Sequence, residues 1–278
     1  MSTYAEYDAL PGCDRWSDVK TMFDGPRSYR DHMDGPREST DAMDFGSLVH
    51  SAVFEPDSLL LEYAVWMADM GNRAGNKWTD FLAQNGGRQV VREVDYRRAL
   101  QVRDAVHSHP KAKKLLGGRG YTESVITWTD EATGRPCKAR VDRIRISGRP
   151  VEADLKTIGY KVGNLRKFRN ACADLLYHGQ RGMYRDGFKA ALDLDVESCL
   201  IVAEAQGAFE VAVLKVSPAE VWAGSDLFHR LLEQIAECEA NDHWPFLYED
   251  EEDLDLPPWA PGMDENDVES ILSFGGSE

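Results

Sequence analysis

With 278 residues, 42% hydrophobic content and a formal net charge of −16, the chain can bury a real core as one large domain. No window approaches 18 uncharged apolar residues, so no membrane span is expected. The opening MSTYAEYDALPG lacks the basic and apolar regions of a secretory signal, and five scattered cysteines (Cys13, Cys137, Cys172, Cys199, Cys238) without a C-x-x-C fit a reducing cytoplasm better than a disulfide or zinc framework.

Acidity argues at first against a nucleic-acid partner, but the distribution reverses that. Residues 86–120 carry nine Lys/Arg against three Asp/Glu, and residues 135–189 carry fourteen against five. Residues 190–278 carry two against 22, so a basic middle precedes an acidic end. Clustered positive charge, not the total, is what a phosphate backbone meets.

In chain order, residues 1–40 read as irregular with a short helix near 15–22, and DGPR occurs at 24–27 and 34–37. Thr40 or Asp41 can cap a helix over about 41–54, whose apolar stripe is Phe45, Leu48, Val49, Ala52 and Val53. Gly46 and His50 share a face beside that stripe. Taken alone, His50 reads as a satisfied, partly buried histidine. A short strand over 62–66, a Gly/Asn-rich loop over 71–76 and a basic helix over 89–107 follow, with His109-Pro110 as an interruption. The alternating segment 121–129 reads as a strand and carries Glu123.

The stretch from Cys137 to Thr157 organises the rest. It reads as strands over 138–146 and 151–157 joined by a Ser-Gly-Arg-Pro turn. Alternation puts Asp154 and Lys156 on one face and turns Leu155 to the core. With Ile146 opposite Val151, Asp142 falls beside Leu155 and one diagonal step from Asp154. Two acids and a lysine so gathered can hold a hard divalent cation while the lysine faces an anion. Beyond lie a helix over 164–190, bent or broken at Gly179, a strand pair over 197–204 and 208–216, a helix over 218–241, and an acidic, poorly ordered end. Gln180 and Tyr184 project from one side of the first of these helices, with Arg181 and Arg185 on an adjacent side.

The series His50, Glu123, Asp142, Asp154-Leu155-Lys156 and Gln180-x-x-x-Tyr184 resembles the PD-(D/E)xK nuclease superfamily. More closely it resembles the RecB-like branch that holds the phage-type exodeoxyribonuclease VIII (RecE-like) family. FGSLVHSAVFEP, ARVDRI, EADLKT, YHGQRGMYRDG, HWPFLY and LDLPPWAP read like that family over roughly 20–260. The acid before x-Lys is aspartate rather than the commoner glutamate, and the cysteines are not placed for the iron–sulfur cluster of some relatives.

That resemblance implies an α/β fold with a mixed central sheet flanked by helices. It implies a single nuclease domain over 1–262 with N-terminal helical decoration and an acidic tail over 263–278. Asp142, Asp154, the Leu155 carbonyl and His50 would hold the metal, and Lys156 would orient or activate the attacking water. Glu123 would be a secondary acid, while Gln180 and Tyr184 would touch the scissile phosphate or support the lysine. Arg140, Lys161, Arg166, Lys167, Arg181 and Arg185 are the expected DNA contacts. Mg2+ is the expected ion, and the histidine suggests that Mn2+ is accepted too. The family further implies 5′→3′ digestion of one strand from duplex DNA ends, a ring-like homo-oligomer, a RecT-like single-strand annealing partner and a phage or prophage origin in bacterial cytoplasm. Alternatives are an endonuclease or Cas4-like trimmer of the same superfamily, and a non-catalytic DNA-end-binding recombination protein.

Overall fold

Chain order gives the layout of the computed structural model, which describes Tyr7, 10–37 and 39–256. Helix α1 (Trp16–Val19) runs into a 3-10 segment (Lys20–Asp24), and α2 (Pro26–Asp34) follows. Then α3 (Asp41–Phe54) starts where its cap predicts, with the Thr40 hydroxyl accepting the Met43 amide that a helix start leaves open. After α4 (Leu59–Glu62), β1 (Tyr63–Trp66) pairs in parallel with β2 (Gln89–Arg92), and α5 (Gly75–Gln84) lies between them in sequence. Next come α6 (Glu93–Ser108) and α7 (Pro110–Leu116).

The main sheet then forms from β3 (Gly120–Thr129), β4 (Pro136–Arg145), β5 (Val151–Ile158), β6 (Glu197–Glu204) and β7 (Val211–Lys215), in that spatial order. Its neighbours are antiparallel except β5 and β6, which run parallel. A parallel pair needs a long crossover, supplied here by α8 (Leu165–Asp174) and α9 (Tyr177–Leu192). The last helix is α10 (Pro218–Asn241). One compact unit runs through Trp244 and a second begins at Pro245, whose described residues, 245–256, hold no helix or strand. The expected domain end at 262 and the tail over 263–278 lie outside the described residues. None of the described helices is long and apolar enough to cross a membrane.

Alternation along β5 decides what each face does. Val151, Ala153 and Leu155 bury against Leu48, Val49 and Ala52 of α3 and against Ala99, Val102 and Val106 of α6. Glu152 and Asp154 turn the other way and meet Arg181 of α9. Leu155 is 1% exposed, so truncating it to alanine would cost about 2–5 kcal/mol. On the opposite layer α9 and α10 press together so closely that a β-carbon at Gly182 would overlap the backbone of Gly224 and Ser225.

Four local expectations change. The helix expected over 164–190 is two, because the chain turns at Leu176 with a left-handed φ of 54°. Gly179 breaks nothing: it lies inside α9, where the Trp16 ring packs directly on it. The helix expected from 89 begins at Glu93, since Gln89–Arg92 is extended and pairs with β1. His109 caps α7 by accepting the Ala112 amide, and Pro110 sits at the first helical position, where its missing N–H costs nothing. The β4–β5 register is one residue from the expected one, with Arg145 rather than Ile146 opposite Val151.

Candidate active site

The site begins where the β4–β5 ladder opens. Pairing runs through Arg145–Val151, Ile144–Glu152 and Arg143–Ala153 and ends there. Past it, the Leu155 amide donates to Asp142 Oδ2 at 2.8 Å instead of to a strand carbonyl. The Asp142 side chain thus reaches Leu155 despite the shifted register. From the other side, α3 brings His50 Nε2 to 2.9 Å from the Leu155 carbonyl. A carbonyl can only accept, so Nε2 carries the hydrogen, and Nδ1 faces Asp142 Oδ2 at 3.4 Å.

Glu123 joins this group through a kink in β3. Its φ of 48° is left-handed, and regular pairing skips it between Thr122–Arg143 and Ser124–Val141. Such a conformation is uncommon for a non-glycine residue and re-aims the side chain. One ligand atom each from His50, Glu123 and Asp142 lies within 4.8 Å of the others. Burial, then repulsion from Asp142, pushes the Glu123 carboxyl up to about 8, against the pull of Arg140 and His50. Burial alone would lower His50, but Asp142, Glu123 and Asp154 outweigh it and raise the imidazole to about 9. The group therefore calls for added positive charge.

Asp154 and Lys156 form the second half. Arg181 Nη2 donates to Asp154 Oδ1 at 2.7 Å. Lys156 Nζ stands 2.7 Å from Asp154 Oδ2 as an ion pair, yet off the hydrogen-bond direction, so this buried oxygen accepts no hydrogen bond. Burial would raise the Asp154 carboxyl, but Arg181 and then Lys156 hold it at about 2, so it stays a carboxylate. Lys156 Nζ also donates to Gln180 Oε1 at 3.2 Å and lies 4.7 Å from the centre of the Tyr177 ring. Gln180 Nε2 donates to the Tyr184 hydroxyl at 3.0 Å, which donates to the Arg140 carbonyl at 2.9 Å. A buried carboxylate oxygen without a hydrogen bond needs an explanation, and carboxylate oxygens beside an imidazole are a fit donor set for a divalent cation.

The expected DNA contacts fare differently. Arg181 is buried, bridging Glu152 Oε2 at 2.8 Å and Asp154, so it supports the site from beneath and cannot meet a phosphate. Arg140 is held between Glu123 and Glu55, so its charge is spent on the acids of the site itself. Lys161 pairs with Glu204, while Arg185 pairs with Asp186 and stacks over Trp222. Arg166 and Lys167 are exposed, with the Lys167 ammonium 4.5 Å from the Tyr160 ring.

Sequence reasoning missed Glu152, Ser198 and Tyr177. Ser198 donates to Glu152, whose carboxyl burial raises to about 7 against Arg181 and Ser198. The available signal was Glu152 two residues before Asp154, hence on the same face of β5. Tyr177 gave none, because its partner is a lysine distant in sequence.

Residues 16–253 match a family described as "PDDEXK-like domain of unknown function (DUF3799)". No curated protein matches the chain significantly. Among solved structures, the fold is similar to that of a chain from Eubacterium rectale described as "Putative exonuclease". The TM-score is 0.59 at 13% identity, covering 87% of this chain and 88% of that one. SSO0001 aligns over 70% of this chain and 88% of its own at 13% identity, with a TM-score of 0.29 that is too low to bear on the fold.

Proposed function

The chain belongs to this PDDEXK-like family, within the PD-(D/E)xK superfamily, and from that premise we propose that it is a metal-dependent exodeoxyribonuclease. It degrades one strand of linear duplex DNA from its ends, 5′→3′, and exposes single strand for recombination. The carrying observation is the Asp154–Lys156 pair on one face of β5, with a buried carboxylate oxygen that accepts no hydrogen bond beside the cluster of His50, Glu123 and Asp142.

Asp142, Asp154, Glu123 and Nδ1 of His50 are the groups that would hold Mg2+ or Mn2+, and the Leu155 carbonyl joins them if His50 releases it. Such an ion, when bound, neutralises phosphate oxygens and makes water a better nucleophile. Lys156 keeps a proton and a positive charge at the phosphate, where charge builds in the transition state. Gln180 and the Tyr177 ring keep that ammonium aimed, and Tyr184 ties Gln180 to β4. The description of the Eubacterium rectale chain favours end-directed cutting. The likeness of the motifs to the RecE-like family supports the 5′→3′ polarity, the ring-like homo-oligomer, the RecT-like annealing partner and the bacterial cytoplasm as the site of action.

Linear duplex labelled at its 5′ or 3′ end tests activity and polarity together. With Mg2+, the 5′ label should be released first, chelator should stop the reaction, and covalently closed circles should stay whole. Cut circles would replace the exonuclease with an endonuclease. DNA left intact with every divalent ion would leave a DNA-end-binding protein.

A further inference from the structure

Lys20 is a charged residue that nothing above uses. It follows α1 directly, and its amide bonds back to the Trp16 carbonyl, so Lys20 sits one turn on from Trp16 and on the same side. The Trp16 ring lies directly on Gly179. Gly179 in turn stands between Tyr177, whose ring meets the Lys156 ammonium, and Gln180, which accepts a hydrogen bond from it. The N-terminal segment is therefore seated on the first turn of α9, next to the ammonium of the site.

Lys20 is partly buried, and among the described residues its ammonium makes no hydrogen bond or ion pair. Burial, then repulsion from Lys156, lowers its pKa, and Asp24 offsets this only in part. Two ammonium groups that feel each other, one without a counter-ion, are costly in partly dry surroundings unless an anion comes between them. The arginines expected on DNA differ: Arg140, Arg181 and Arg185 already face acids of this chain.

We propose that Lys20 is a substrate-positioning residue, whose ammonium receives a backbone phosphate of the nucleic-acid strand next to the phosphate at Lys156. The N-terminal segment is then part of the binding site rather than decoration. This rests on the nuclease reading and adds to it a contact on a phosphate that is not cut.

The test uses the full chain with labelled linear duplex in chelator, with affinity followed from about 50 to 200 mM salt. Lys20→Gln should flatten the plot of log affinity against log salt by about one unit. It should also weaken binding roughly tenfold at low salt, the worth of one charge-assisted contact. With Mg2+ present, KM should rise more than kcat falls. Lys20→Arg, which keeps the charge, should recover most of the binding, and both variants should melt with the parent. A Lys20→Gln protein with parental affinity and salt slope overturns the proposal while leaving the nuclease reading intact. A parent that neither binds nor cuts DNA brings down both.

Discussion

At the scale of single residues, the site is a balance of buried charge. Arg181 and the carboxylates of Glu152 and Asp154 are all buried, so the guanidinium is what makes two interior acids tolerable. Arg181→Met should therefore destabilise the fold by about 3–5 kcal/mol, read from urea unfolding, because it strands two acids without a counter-charge. Lys156→Met should differ, lowering the rate of DNA cutting by about 10²–10⁴ while salt-sensitive binding survives in a filter or anisotropy assay. Asp154, Lys156 and His50 were legible because period two and helical spacing fix the side each residue takes. Glu123 was only half legible, since no pattern announces a left-handed φ inside a strand. Arg140 and Arg181 were misread because counting charges says nothing of which acids the fold brings against them.

At the scale of elements, starts were easier to read than breaks. Thr40 caps α3, and Ser217 with Glu220 forms a reciprocal capping box on α10, both local chemistry that a sequence displays. The break at Leu176 and the existence of α5 were hidden. None of the α5 side chains is buried, and it is held mainly by Trp78 and Phe81 edge-on to Trp66. A titratable tie between elements gives a further check. His229 of α10 has Nδ1 3.1 Å from Asp130, after β3, and Nε2 3.3 Å from Asp186 of α9. The Asp186 hydrogen bond, against burial, raises its pKa above 6.5. A raised folded value means that the stabilisation is complete below pH 6.5 and fades as pH climbs through the folded value. With the ring 38% exposed, solvent keeps the effect below about 1 kcal/mol. The urea midpoint of the parent should fall with pH above 6.5, and His229→Gln should flatten that part of the curve.

At the scale of the whole molecule, charge is divided along the chain. Residues 249–278 hold eleven acids and no Lys or Arg, a large part of the net −16. A negative protein approaches DNA slowly, and the penalty fades as the Debye length shrinks from about 30 Å at 0.01 M to about 8 Å at 0.15 M salt. A chain ending at Tyr248 should thus associate with duplex faster in low salt, by stopped-flow, with the gain gone near physiological ionic strength.

Strand β5 carries acids and a lysine at even positions and apolar side chains at odd ones, so it tolerates a single alignment in the sheet. Sliding it by one residue would drive Glu152, Asp154 and Lys156 between α3 and α6 and turn Leu155 out to water. The periodicity that assembles the chemistry thereby proofreads its own folding. A misaligned copy is unstable and inert together, and a partly folded molecule poses no threat to the DNA around it.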